Sequence, residues 1–283
     1  GMTESPVLIK NYLPTMNRSE IFLVMVSGMG TIAGSVMGTY IGMLGGTDPA
    51  AKVLFATHLL SASVMAVPGS IVLAKMLCPQ TEEATDHVAI SGKEKENSNI
   101  LDAISSGTVT GVKLMTNIAA MLLVFISLVA LANYITEGVI GRYTGLNDWI
   151  VKITDGKAQG LTFQFILGVI TSPFMWLIGV PSQDIMLVGS LLGQKTILNE
   201  FVAYFQLQQW KDAGLFMYEK SILMSTYILC GFANISSIGI LLGGLGVLAP
   251  EKRGLISRIG VPAMIGGALV SVLSATIIGM ILG

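Results

Sequence analysis

Gly28-Met-Gly-Thr-Ile-Ala-Gly-Ser35 and Gly231-Phe-Ala-Asn-Ile-Ser-Ser237 interrupt apolar helical runs with small and hydrogen-bonding residues. Each follows an acidic, loop-like motif, Thr3-Glu4-Ser5-Pro6 for the first and Asn199-Glu200-Phe201 for the second. A carboxylate therefore repeats together with the break. A helix broken inside lipid frees backbone groups that only protein, water or solute can satisfy. Interrupted segments at corresponding positions of two halves point to a secondary transporter whose binding site lies between them.

Composition points to the same solvent. Of 283 residues, 52% are hydrophobic and 12% charged, with 33 glycines scattered through apolar runs. Mean hydropathy is +0.73, which is membrane-protein usage. The net charge of -1 provides no basic footprint, so nucleic acid is excluded as a partner. Cys78 and Cys230 lie in apolar surroundings and read as buried thiols; they offer no framework for a disulfide or a zinc site. The opening residues, polar and proline-containing, do not read as a cleavable signal peptide.

Hydropathy along the chain predicts an all-α integral membrane fold. Residues 1–16 precede a broken helix at 20–44, a second span at 52–77, a solvated charged loop at 80–103 and a span at 110–135 interrupted by Asn117. Residues 161–180 are apolar but carry Pro173, and 184–209 mix Asp184, Lys195 and Glu200 with glutamines. The whole stretch 161–209 is therefore expected to be an interfacial helix and a re-entrant hairpin with its tip near Asn199-Glu200. A second broken helix spans 220–249, and a terminal helix at 259–282, rich in Gly, Ala and Ser, suits close helix contacts.

If 161–209 does not cross, the two broken helices run in opposite directions, as an inverted repeat requires. Lys10, Arg18, Lys75, Lys93, Lys95, Lys252, Arg253 and Arg258 then share the cytoplasmic side. Lys52, Arg142, Lys152, Lys157, Lys211 and Lys220 fall outside or near that interface, a modest bias in the expected direction.

Five ordered motifs carry a family resemblance: Gly1-Met-Thr-Glu-Ser-Pro6, Thr31-Ile-Ala-Gly-Ser35, Asn199-Glu-Phe-Val-Ala-Tyr204, Cys230-Gly-Phe-Ala-Asn-Ile-Ser-Ser237 and Gly243-Gly-Leu-Gly-Val-Leu-Ala-Pro250. Together they resemble the concentrative nucleoside transporters. Residues 1–283 correspond to the C-terminal portion of such a protein, starting at the tip of the first re-entrant hairpin. The resemblance implies an inverted-repeat transporter with re-entrant hairpins and two discontinuous transmembrane helices. It further implies a homotrimer, multi-pass in the plasma (inner) membrane, whose transport domain moves elevator-fashion and imports nucleosides on a sodium or proton gradient. No enzymatic activity or cofactor is expected. The scaffold helices and part of the cation site would lie upstream, so the chain is not expected to transport unaided.

Residue roles follow from the same resemblance. Thr3 and Glu4 match the first tip, which contacts the nucleobase, while Glu200 at the second tip and Asn234 with Ser237 at the later break face the ribose. Val36 and Phe232 match apolar positions beside the solute. Thr31 and Ile32 match part of a sodium site, through a hydroxyl and a backbone carbonyl. Met2 stands where the family usually has glutamine. Methionine offers a soft apolar surface and at most a weak acceptor, so either base preference shifts toward purines or Gly1-Met2 is not native sequence.

Taken alone, these residues leave other readings open. Glu200 equally suits an interfacial acid, since a carboxylate at membrane depth is costly unless partnered. Glu4 before Pro6 looks like an ordinary helix start. Asn234, Ser236 and Ser237 could glue helices together. His58 reads as a packed, hydrogen-bonded residue, and His87 lies in the solvated loop. The alternatives to nucleoside symport are transport of another small polar solute and, further off, an intramembrane hydrolase or a channel. A hydrolase needs a nucleophile beside its base, and a channel needs a continuous polar pore.

Overall fold

The computed structural model describes residues 2, 5–10, 12–82 and 99–102, scattered positions between 104 and 128, and 130–154, 156 and 158–283. Thr3, Glu4, Asn117, His87 and most of the 80–103 loop lie outside the described residues. Among the described residues every regular element is helical. The chain divides into two compact units, residues 1–88 with 164–283, and residues 89–163. Three helical stretches, Arg18–Gly45, Pro49–Leu77 and Pro250–Ile281, are long and apolar enough to cross a membrane.

The first unit opens with the single turn α1 (Ser5–Leu8) and then α2 (Arg18–Gly30). Asn17 and Glu20 start α2 with a reciprocal capping box, at 3.0 and 2.9 Å. After Gly30 the backbone straightens: Thr31 and Ala33 are both extended, and α3 (Gly34–Gly45) begins anew. Next, α4 (Pro49–Leu77) begins with proline in its first turn and with Asp48 accepting from the Ala50 and Ala51 amides. Val53, Leu60, Val64, Val67, Ile71 and Met76 remain exposed along α4, a surface suited to lipid or to another membrane helix.

In the second unit, a π-helical stretch at Tyr134–Gly141 and one turn at Arg142–Thr144 lead to α5 (Leu146–Ile153). Gly145 joins them at φ 73°, in the left-handed region. Asn147 ties this turn together, donating to the Glu137 carbonyl at 3.0 Å and accepting from the Leu161 amide at 2.9 Å.

From Gln164 onward the chain belongs to the first unit again. Its helices are α6 (Phe163–Leu177), α7 (Ile185–Ile197), α8 (Glu200–Asp212), α9 (Glu219–Leu229), α10 (Ile235–Leu248) and α11 (Arg253–Ile281). Only Leu198 and Asn199 separate α7 from α8, and the Asn199 side chain accepts from the Val202 amide at 2.9 Å. Cys230 to Asn234 separate α9 from α10, and Asn234 caps α10 through the Ser237 amide.

The long helix α11 is the spine of this unit, packing on α2, α4, α9 and α10. Small residues make that possible. A Cβ at Gly260 would sit 2.7 Å from Ile238 on α10, at Gly267 2.7 Å from Met29 on α2, and at Gly279 2.8 Å from Met224 on α9. The two breaks meet beside this spine. Gly231, at φ 145°, leaves no room for a side chain: a Cβ would lie 2.9 Å from the Met29 carbonyl oxygen and 3.0 Å from Ser271 Oγ.

Two apolar clusters flank the meeting point. One gathers Tyr40, Leu44, Leu59, Val188, Tyr204 and Tyr227; the other gathers Met2, Phe22, Met25, Met29, Leu241 and Ile256. Phe232, inside the second break, packs against both. His58 lies 3.1 Å from the Tyr227 hydroxyl and is only partly buried. Cys230 is buried, but Cys78 is not: it is half-buried at the C-terminal end of α4, where its neighbour Pro79 stops the helix and the chain emerges.

Candidate functional site

Asn199 starts α8, which places Glu200 in its first turn, where the helix dipole favours negative charge. The side chain is 6% exposed. Burying a carboxylate is costly unless its oxygens are partnered, and both are. Oε1 accepts from the Tyr40 hydroxyl at 3.2 Å, and Oε2 accepts from Asn234 Nδ2 at 3.1 Å. Tyr40 comes from α3, beyond the first break, and Asn234 ends the second. One carboxylate therefore joins both broken helices to the tip between α7 and α8.

Both donors are held in place by further contacts. The Tyr40 ring stacks on Tyr204 with centroids 4.1 Å apart and planes 23° apart, and the Tyr204 hydroxyl donates to the Thr226 carbonyl at 2.8 Å. The Asn234 Oδ1 accepts the Ser237 amide at 2.9 Å, the Ser237 hydroxyl at 3.0 Å and the Ser236 hydroxyl at 2.6 Å. With the oxygen so engaged, the amide nitrogen faces Glu200, which fixes the side chain's orientation through its network. The helix cap and the donor to Glu200 are thus one residue.

At the first break the Thr31 hydroxyl donates to the Ser27 carbonyl at 2.9 Å, and Ile32 is buried. The break between α2 and α3 takes backbone carbonyls ahead of Ala33 out of the helical ladder, which suits oxygen ligation of a hard cation; the Ala33 carbonyl itself accepts from the Met37 amide at 3.0 Å as α3 begins. Val36, four residues before Tyr40, is partly buried against the same cluster as Tyr40. Met2 is buried, with its Cβ 3.0 Å from where a Cβ on Gly28 would be. The structure thus joins Glu200, Asn234 and Ser237 in one hydrogen-bonded group, with Phe232 two residues from Asn234. Thr31 and Ile32 lie at the other break, and Thr3 and Glu4 lie outside the described residues.

Sequence reasoning missed four contributors: Tyr40, Tyr204, Lys195 and Ser271. Tyr40 follows Val36 by one helical turn, and that spacing was the available signal. Lys195, 0% exposed, donates to the Ile228 carbonyl at 2.7 Å and to Ser271 Oγ at 3.0 Å. A lysine within an otherwise apolar stretch was its signal. Tyr204 closes the motif Asn199–Tyr204, but its residue type gave no sign that it supports Tyr40, and Ser271 carried no signal that separates it from ordinary packing residues. Chemically, a fixed carboxylate beside an amide and hydroxyls can bind a solute bearing neighbouring hydroxyl groups.

Residues 58–279 match the family described as the C-terminus of Na+-dependent nucleoside transporters. An uncharacterized transporter of Haemophilus influenzae is 39% identical over 286 residues, which cover 100% of this chain and 63% of that protein. Sodium/nucleoside cotransporter 1 of Rattus norvegicus is 38% identical over 295 residues, covering 99% of this chain and 42% of the rat protein. Among solved structures, CNTnw in an inward-facing substrate-bound state superposes with a TM-score of 0.81 at 35% identity, over 100% of this chain and 62% of CNTnw. The chain thus spans less than two thirds of the length of each of these relatives.

Proposed function

This chain belongs to the sodium-dependent nucleoside transporter family, and from that premise we propose that it forms the solute-binding part of a cation-coupled nucleoside symporter. It is a multi-pass component of the plasma membrane. The observation that carries the proposal is the double engagement of Glu200 by Tyr40 and Asn234, which builds a buried hydrogen-bonding group where two broken helices meet a tip.

In this reading Glu200, Asn234 and Ser237 hold the ribose hydroxyls, and Val36 and Phe232 line the apolar side of the solute. Thr3 and Glu4 meet the base from the first tip, beside Met2, whose apolar surface favours purines. A sodium ion, or a proton in its place, binds near Thr31 and Ile32 and orders that tip. Ion and solute both favour the same closed state, which is what couples their binding. The closed domain then moves inward, elevator-fashion, within a homotrimer.

Uptake of radiolabelled uridine, adenosine and inosine by cells expressing the full-length protein tests this, with sodium present or replaced and external pH varied. Saturable uptake that depends on one of the two cations is the expected result. Absence of uptake at verified surface expression would contradict the nucleoside assignment and direct attention to another small polar solute on the same fold.

A further inference from the structure

We propose that Lys195 is the fixed cation of the second break, a positioning residue whose ammonium holds the Ile228–Asn234 segment so that Asn234 faces Glu200 without a mobile ion there. The inference rests on the reading of Glu200 and Asn234 as solute-binding groups.

Where α9 stops at Leu229, its last carbonyls lose their intrahelical partners and carry the negative end of the helix dipole. Inside a membrane protein, water is not at hand to satisfy them. Lys195 supplies both a donor and a charge. Its Nζ is 2.7 Å from the Ile228 oxygen and 3.0 Å from Ser271 Oγ, and Ser271 passes a hydrogen bond on to the Cys230 oxygen at 2.9 Å. The two carbonyls on either side of Leu229 are thereby tied, one directly and one through α11, to a single ammonium. Four residues beyond Cys230 stands Asn234.

The opposite end of α9 is treated in the complementary way. Asp184, fully buried, accepts from the Met217 and Tyr218 amides at 3.0 and 3.1 Å, just before α9 begins. Asp184 precedes α7 and Lys195 lies in its last turn, so a single helix carries the negative charge to the N-terminal end of α9 and the positive charge to its C-terminal end. Lys195 stands eleven positions after Asp184, and α9 is eleven residues long. The hairpin that carries Glu200 is therefore locked in register to the helix that leads to Asn234.

The first break is served differently. There the Ser27 carbonyl takes the hydroxyl of Thr31 from its own turn, whereas the second break draws an ammonium from another helix. The two halves thus differ in how their helix ends are neutralised. A lysine in the second half supplies the charge that an ion supplies in the first under the proposed function.

The test uses the purified full-length protein in detergent. Lys195→Met, which keeps an unbranched stem and removes the ammonium, is expected to weaken uridine binding by about tenfold or more. Lys195→Ala leaves a space the size of n-propylammonium. That amine should raise the variant's melting temperature without nucleoside and restore part of its uridine affinity, and n-propanol should do neither. Wild-type affinity in Lys195→Met, or equal rescue by alcohol and amine, overturns the proposal. Should Lys195→Ala fail to fold, Ser271→Ala removes the hydroxyl that accepts from Lys195 and donates to the Cys230 carbonyl, while leaving the direct bond from Lys195 to Ile228; weakened uridine binding supports the inference and unchanged binding overturns it. If the wild-type protein binds none of uridine, adenosine and inosine, the nucleoside reading fails, and the melting response to the amine still judges Lys195; if it binds only a purine nucleoside, that nucleoside replaces uridine throughout the test.

Discussion

Tyr40 and Glu200, 160 positions apart, meet through a hydrogen bond of 3.2 Å from phenol hydroxyl to carboxylate, with Tyr40 0% exposed. The bond spans the helix after the first break and the tip between α7 and α8. Tyr40→Phe keeps the ring stacked on Tyr204 and deletes only the hydroxyl. It should lower nucleoside affinity by roughly tenfold, because a buried carboxylate loses one of its two side-chain donors. Titration calorimetry on the full-length variant measures this.

Asn234 combines a helix cap with a donor to Glu200, and two substitutions separate these roles. Serine caps a helix about as well as asparagine but carries no amide to reach the carboxylate. Asn234→Ser should therefore keep its melting temperature while losing solute affinity. Asn234→Ala should lose affinity and, in addition, about 1 kcal/mol of stability from the missing cap. Wild-type affinity in Asn234→Ser would show that the amide does not contribute, and equal melting temperatures of the two variants would show the same of the cap.

Gly231→Ala forces a side chain into the contact between the breaks, 2.9 Å from the Met29 carbonyl, at a backbone conformation few residues adopt. A loss of order 1–3 kcal/mol is expected, from strain and overpacking together. Gly243→Ala on α10 meets nothing within 4 Å and should leave the apparent melting temperature unchanged or slightly raised. Thermal melts of the two variants in one detergent compare them directly.

Asp184→Asn removes the charge that faces the start of α9 and leaves one acceptor for two amides, those of Met217 and Tyr218. A cost of about 1–3 kcal/mol should appear as a lower melting temperature. Hydrogen exchange should rise most at the N-terminal turn of α9, and exchange unchanged there would argue against the carboxylate's capping role.

Much of the fold was legible because its breaks are written in chemistry that lipid does not tolerate. Thr31, Asn234 and the glycines beside them cannot continue an apolar helix without giving their backbone groups other partners, so their positions showed in the sequence. The family resemblance likewise singled out Glu200, Asn234 and Ser237, which the structure brings into one hydrogen-bonded group. Tyr40 was not legible as a partner, since an aromatic residue in an apolar run serves packing as readily as hydrogen bonding. Ser271 was hidden for a related reason: in a helix of small residues, a serine that relays a hydrogen bond looks like one that permits close contact. Lys195 was visible as an unusual charge, but its partners are the carbonyls of Ile228 and, through Ser271, Cys230, and backbone groups leave no trace in side-chain patterns. Cys78 was misplaced because hydropathy averages over a window and does not see the chain leave the core at Pro79.

The most direct measurement is a binding cycle between protein and solute, using uridine and its 2′,3′-dideoxy analogue against wild-type and Glu200→Gln full-length protein. A hydrogen bond to a buried charge contributes about 1.5–3 kcal/mol, so wild-type protein should prefer uridine by roughly 10- to 150-fold. Glu200→Gln should bind uridine weakly and lose most of that preference, because the deleted groups face each other. If the preference survives in Glu200→Gln at full strength, the carboxylate does not hold the ribose, and the central claim is wrong.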